Sequence, residues 1–256
     1  MTDTTDKVRV THIANAGLLL ELGGRKMIID ALFNDAEHPF GVIPPDTLGN
    51  LMHGQPPFDG VEHILFTHCH PDHFSAAMTL EHLKNNAVKT VILPKAGTDG
   101  ELGEFLQDSG ITCIPLSACC GETVLRLSPD ISVRVLPTKH LDRKFANVEH
   151  FCFLIQFAER RLLFTGDVDY VNETLSFLPE TGLDAVFVNP LFFSALCRRR
   201  FFKGDLNSAV FCVHHLPFAH DDALQANTSL ERELQRWERD RGRVIVLNAK
   251  NRSFDI

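Results

Sequence analysis

Only one tryptophan and one tyrosine occur in 256 residues, and the seven cysteines form no CxxC pair. Apart from Cys119-Cys120 the cysteines are scattered, and their number is odd. That pattern argues against a disulfide framework and for a reducing, cytoplasmic compartment. No stretch approaches the roughly 20 apolar residues of a membrane span. The N-terminal Met-Thr-Asp-Thr-Thr-Asp-Lys is not followed by the apolar core of a signal peptide. Neither feature suggests a membrane partner. Positive charge is scarce too: 25 Lys and Arg stand against 33 Asp and Glu, a net charge of −8. Such a chain has no long-range pull toward nucleic acid or anionic lipid. No GxSxG sequence offers a serine nucleophile.

What the chain does have is ordinary globular composition, 44% hydrophobic and 23% charged, which excludes a disordered or coiled-coil chain. Its length lies near the upper limit for one hydrophobic core, roughly 250–300 residues. No linker, repeat or low-complexity tract divides it, so residues 1–256 are expected to form a single domain. Thirteen histidines are the one conspicuous enrichment.

Short apolar runs punctuated by Asn15-Ala16-Gly17 and Gly23-Gly24 predict strands at 8–12, 18–22 and 26–29. A Pro/Gly-rich stretch from Phe33 to Gly60 reads as a long irregular segment, a kind that is usually functional or mobile. Further strands are expected at 61–66, 90–93, 111–114, 124–127, 131–136, 151–157, 161–164, 185–188, 209–213 and 244–247. Helical spacing marks 74–84, 99–107 and 172–178. A last helix is announced by the capping-box pattern Thr228-x-x-Glu231, with Leu230, Leu234 and Trp237 on one face and Gly242 as its end. The alternation predicts an α/β fold of two similar halves.

The chemistry concentrates in Thr67-His68-Cys69-His70-Pro71-Asp72-His73, between a buried strand and a helix. Residues i and i+2 of an extended segment point the same way, so His68 and His70 can grip one ion. Pro71 then turns the chain and brings Asp72 and His73 to the other side of the same cavity. Imidazole and carboxylate suit zinc, and also manganese or iron when oxygen ligands join. More ligands are expected at strand ends, where side chains line an active-site rim. Candidates there are His140, Asp167 and one of the pair His214-His215. His150 competes with His140 for its role. Adjacent residues face opposite ways, so one of His214 and His215 points inward, His215 being preferred. Cys69, between two candidate ligands, should point away from them and pack. His12, His38, His53, His63, His82 and His220 read as surface or satisfied partners.

The run Thr67–His73, then His140, Thr165-Gly166-Asp167 and His215, resembles the metallo-β-lactamase superfamily in order and spacing. Gly17-Leu18-Leu19-Leu20-Glu21 and Ile28-Ile29-Asp30 resemble its first hairpin. Within it, His215-Leu216-Pro217-Phe218 and the simple strand-led opening look most like the ascorbate-6-phosphate lactonase-like branch. The resemblance implies a four-layer αβ/βα sandwich with a dinuclear site at its top edge. His68, His70 and His140 would hold one divalent ion, Asp72, His73 and His215 a second, and Asp167 would bridge them. Zinc is the first choice, manganese or iron the alternatives. It further implies a metallo-hydrolase in which a bridging hydroxide attacks an ester, lactone or phosphoester, with Asp72 as the catalytic carboxylate. The other readings are a nuclease or phosphodiesterase acting on nucleic acid, which the charge of −8 disfavours, an iron-dependent relative, and a non-catalytic metal-binding member.

Four phenylalanines flank Arg198-Arg199-Arg200 and Lys203 in the stretch 191–203 of this acidic chain. Guanidinium forks match phosphate and carboxylate, so a small anionic substrate is expected if this segment forms the pocket rim; otherwise the run is a solvated turn. Assembly into a homo-oligomer is left open.

Overall fold

Alternation along each strand sorts side chains onto two faces, and that sorting builds the layers. The computed structural model describes residues 7–33, 40–170, 182–198, 210–236 and 243–256, without the side chains of 143, 195–198 and 236. In chain order the elements are β1 (Arg9–Ala14), β2 (Gly17–Leu22), β3 (Arg25–Ile29), α1 (Pro45–Met52), β4 (Val61–Leu65) and α2 (Ala76–Asn85). Next come β5 (Thr90–Pro94), α3 (Glu101–Asp108), β6 (Thr112–Leu116), β7 (Thr123–Ser128), β8 (Ile131–Lys139), β9 (Glu149–Phe157) and β10 (Arg160–Phe164). The last are β11 (Ala185–Val188), α4 (Pro190–Arg198), β12 (Val210–Val213), α5 (Ala226–Arg236), β13 (Val244–Val246) and β14 (Ser253–Asp255).

Two seven-stranded sheets result, ordered β14-β1-β2-β3-β4-β5-β6 and β13-β12-β11-β10-β9-β8-β7. Each begins with antiparallel strands and continues with parallel ones, β3 to β6 in the first and β10 to β13 in the second. Two similar halves in an α/β sandwich are therefore the observed architecture. Between the sheets lie Leu18, Leu20, Met27 and Ile29 from one and Phe151, Phe153, Phe164 and Phe187 from the other. Their odd-and-even neighbours face outward: Leu19 and Ile28 toward α1, α2 and α3, and Leu154, Leu163, Val186 and Val188 toward α4 and α5. Because all parallel strands run toward one edge, the loops after β3, β4, β10, β11 and β12 converge there. Among the described residues no helix is long and apolar enough to cross a membrane.

Two local expectations change, and one strand is added. The stretch 33–60 is not irregular throughout, since it contains α1. Pro45 opens that helix at the position where a missing N–H costs nothing. The last helix begins at Ala226, so Thr228 lies inside it rather than capping it. The cap is Asp222, whose carboxylate accepts from Asn227 N, Thr228 N and Thr228 Oγ1 at 2.9–3.0 Å. The short strand β14, three residues without a hydrophobic run, escapes pattern reading and pairs with β1 through Arg9↔Asp255. The helix expected at 172–178, with His38, Trp237 and Gly242, lies outside the described residues.

Phe153 is fully buried in the inter-sheet core. Its replacement by alanine should cost about 3–5 kcal/mol, whereas Asp222→Ala should cost about 1 kcal/mol for the lost cap. Urea denaturation of both variants measures the difference, and comparable losses would contradict this layering.

Candidate metal centre

The polar residues gathered at the shared sheet edge come from loops that follow strands. Asp30 comes directly after β3, Thr67 and His68 just after β4, and His140 after β8. Asp167, Asn189 and His214-His215 follow β10, β11 and β12. The β1–β2 turn supplies Asn15.

The Asp30 carboxylate organises the first group. It is buried and accepts from Thr67 N at 2.8 Å, Thr67 Oγ1 at 2.6 Å and His73 Nδ1 at 3.0 Å. Thr67 spends its hydroxyl proton on Asp30, so its oxygen accepts from His68 Nδ1–H at 3.0 Å. His140 donates its Nδ1–H to the Leu141 carbonyl. The Nδ1 proton is thereby fixed in all three, and in His68 and His140 Nε2 is left to offer a lone pair. The Nε2 atoms of His68 and His140 are buried with no hydrogen-bond partner. Orphaned buried nitrogens of this kind call for an explanation, and a cation supplies one.

The side chains form three overlapping groups whose ligand atoms lie within 4.8 Å of one another: His68, His70 and His140; His68, His73 and Asp167; Asp72, His73 and His215. His215 Nε2 stands 3.2 Å from Asp72 Oδ2, 3.4 Å from Asp167 Oδ2 and 3.0 Å from His73 Nε2. His73 Nε2 is 3.6 Å from Asp72 Oδ2 and 3.5 Å from Asp167 Oδ2. All seven residues singled out from the sequence are thus brought together, and a set of imidazoles and carboxylates fits a divalent ion.

The imidazoles divide by charge. Burial pushes His70 down to about 4 and His68 well below its usual value. Burial opposes a charge on His215 and His73 as well, but carboxylates prevail there. Asp167 and Asp72 lift His215 to about 9, and Asp72, Asp167 and Asp30 hold His73 well above its usual value. Burial disfavours the Asp167 anion, yet His215 and His73 keep its carboxyl well below the usual range.

Geometry separates the competing candidates. His140 joins the cluster, whereas His150 Nε2 is occupied, accepting from Asp167 N–H at 2.9 Å. His215 joins it, whereas His214 faces Phe187 and belongs to no such group. His215 points inward because its backbone is left-handed, φ 60°, and its N–H is tied to the Asn15 carbonyl at 3.0 Å. Cys69 packs toward Gly97, and burial pushes its thiol up to about 12. His12, His82 and His220 have structural partners: the Ala249 and Asn15 carbonyls, the Leu51 carbonyl, and the Phe218 ring.

Sequence reasoning missed the supporting residues. Asn15 Nδ2 donates to the Asp72 carbonyl at 2.9 Å, and Asn189 Nδ2 to Asp167 Oδ1 at 3.2 Å. Asp30 could have been found, since a carboxylate ending an apolar strand beside the His-rich run is an available partner. The asparagines carry no such signal. Phe145 packs edge-on against His70 and His140 at 4.4 and 5.1 Å, and Phe40 against His215 at 4.4 Å, so aromatic rings flank the cluster on both sides. Arg199 and Arg200, and the side chain of Arg198, lie outside what is described.

A family model described as the beta-lactamase superfamily domain matches residues 25–233. The chain belongs to that superfamily. Solved structures of this superfamily's fold extend over the same ground. An isothiocyanate hydrolase from Delia radicum gut bacteria is 15% identical, with a TM-score of 0.64 over 97% of this chain and 100% of its own. A possible metal-dependent hydrolase from Veillonella parvula is 12% identical, with a TM-score of 0.66 over 98% and 100%. CmlA, a diiron beta-hydroxylase from Streptomyces venezuelae, is 17% identical with a TM-score of 0.61; the similarity takes in 99% of this chain but 54% of CmlA. At these identities the likeness is one of fold. No curated protein matches the chain significantly.

Because Asp167 and Asp72 hold a proton on His215 against its burial, a divalent ion must displace that proton. Zinc uptake at pH 7 should therefore release protons, and affinity should climb as pH rises through about 9. Titration calorimetry in buffers of different ionisation enthalpy measures this, and uptake without proton release would contradict the charge assignment.

Proposed function

We propose that the chain is a metal-dependent hydrolase of small molecules. His68, His70 and His140 would hold one divalent ion and Asp72, His73 and His215 a second, with Asp167 available to both. The observation that carries this reading is the convergence of three overlapping donor groups, among which the buried Nε2 atoms of His68 and His140 have no hydrogen-bond partner. Zinc suits the donor set best, with manganese or iron as alternatives. Bound there, the pair of ions supplies nucleophilic water at neutral pH and a Lewis acid for a carbonyl or phosphoryl oxygen.

The protein's own groups orient and exclude. Asp72 is held by Asn15, whose Nδ2 lies 2.9 Å from its carbonyl and 3.5 Å from its Oδ2. Its carboxylate is thus positioned to orient water, to take up the proton that water gives as it attacks, and to pass a proton to the leaving group as the bond breaks. Asp30, Thr67 and the Leu141 carbonyl keep His73, His68 and His140 in the Nδ1–H form, so their Nε2 atoms face inward. Phe145 and Phe40 wall the two sides and limit solvent. The substrate is an ester, lactone or phosphoester, anionic by the reading of Arg198–Arg200. The lactonase-like branch fits that range, and nucleic acid is disfavoured by the charge of −8.

His70→Ala and Asp167→Ala should each lose bound metal and hydrolysis, whereas Asp72→Asn should lower turnover more than it lowers binding of the first ion. Elemental analysis beside assays on ester, lactone and phosphodiester panels decides; full activity with metal retained in either alanine variant would overturn the ligand set. Replacing Arg198, Arg199 and Arg200 singly by Gln should raise KM for anionic esters and leave neutral ones unchanged. Equal effects on both classes would remove the anion preference.

A further inference from the structure

Asp167 has two carboxylate oxygens, but one of them faces the cluster. Oδ2 lies 3.4 Å from His215 Nε2, 3.5 Å from His73 Nε2 and 3.8 Å from His140 Nε2. Oδ1 accepts from Asn189 Nδ2 at 3.2 Å instead. Asn189 is itself fixed, because its Oδ1 accepts from Phe192 N at 2.8 Å in the first turn of α4.

The backbone at Asp167 is held as firmly. Its N–H donates to His150 Nε2 at 2.9 Å. The residue before it, Gly166, is left-handed at φ 50°, and a Cβ there would stand 2.8 Å from His150 Nε2 and 2.9 Å from Thr67 Oγ1. The glycine lets the chain approach His150 closely enough for the hydrogen bond to form. His150 is fully buried behind His68 and His140, with ring centroids 5.2 and 5.8 Å away. An amide N–H can only donate, so His150 Nε2 carries a lone pair and the ring proton sits on Nδ1. That proton goes to Thr138 Oγ1 at 2.6 Å, and the Thr138 hydroxyl turns its own hydrogen to the His150 carbonyl at 3.4 Å. His150 therefore spends both ring nitrogens away from the cluster.

We propose that His150 is a positioning residue: Thr138 sets its Nδ1–H form, and its Nε2 holds Asp167 by the main-chain amide so that Oδ2 is the oxygen presented to both donor groups. This rests on the metal-centre reading above. Residues that orient metal ligands from behind typically alter affinity by about 10–100-fold when replaced.

The test uses the full chain and zinc, titrated in competition with a chromogenic chelator. His150→Phe keeps the volume and removes the acceptor; His150→Gln returns an amide oxygen close to the place of Nε2; Thr138→Val removes the group that sets the ring proton. Expected are a loss in zinc affinity of about 10–100-fold for His150→Phe, a smaller loss for Thr138→Val, and recovery of most of the affinity in His150→Gln. Nitrogen-15 spectra of the metal-free protein should show His150 in the Nδ1–H form, with slow exchange of the Asp167 amide that quickens in His150→Phe. A packing role alone would predict no rescue by glutamine and no change confined to that amide. Wild-type affinity and amide exchange in His150→Phe overturn the proposal; if that variant does not fold, the same result in Thr138→Val does so. Spectra that place zinc on His150 Nε2 also overturn it. A wild-type chain that takes up neither zinc, manganese nor iron defeats the metal-centre reading, and the tautomer and amide exchange then judge the hold on Asp167 alone.

Discussion

Three hydrogen bonds converge on the carboxylate of Asp30, where two neighbouring parallel strands end side by side. Left without them, a buried charge of this kind would be expensive enough to unfold a marginal domain. With them it does two things at once. It locks the end of β4 to the end of β3 through the Thr67 amide, and it dictates which nitrogen of His73 carries the proton. Thr67 passes the effect to His68 by having no hydrogen left to give. One carboxylate thus determines the orientation of two imidazoles, His73 directly and His68 through Thr67, whose ring centroids lie 4.0 Å apart. The Asp30 backbone adopts φ 47° to reach this place, a conformation aspartate tolerates better than most residues.

Asn15 and His215 share that left-handed backbone, at φ 47° and 60°. Such conformations cost about 1–3 kcal/mol each and persist where surroundings over-determine them. At Asn15 the determination is visible: its carbonyl accepts from His215 N, and its side-chain amide reaches Asp72. Two strained turns from opposite sheets therefore brace one another, and between them they aim a histidine and an aspartate into the same space.

Much of this is legible in the sequence. The alternating runs around Leu18, Met27, Phe151 and Phe164 mark strands because each has two faces to satisfy, one toward the opposite sheet and one toward helices. His68, His70, Asp72 and His73 announce themselves because ligand spacing on an extended segment is a local property. What stayed hidden depends on distance along the chain. The roles of Asn15, Thr138, His150 and Asn189 rest on contacts between residues far apart, which no window of sequence contains. The choice between His140 and His150 turned on which ring nitrogen was already engaged, and that is decided by a threonine twelve residues from one and two from the other. The Pro/Gly-rich stretch from Phe33 to Gly60 reads as irregular because proline breaks helices in their interior, yet Pro45, at the first position, starts one. Asp222 took the capping role from Thr228 because a carboxylate has acceptors enough for three donors at once.

The pairing of β14 with β1 makes the two sheets unequal in one respect. The chain leaves the first sheet at Leu116, builds the whole of the second, and comes back to the first at Ser253. The second sheet is consequently a closed excursion, tethered at both ends to strands of the first. Should it loosen while the first sheet stays folded, it becomes a loop and not a free tail. Closing so long a loop costs entropy that grows only with the logarithm of its length, and the tether keeps His140, Asp167 and His215 within reach of the histidines they must rejoin.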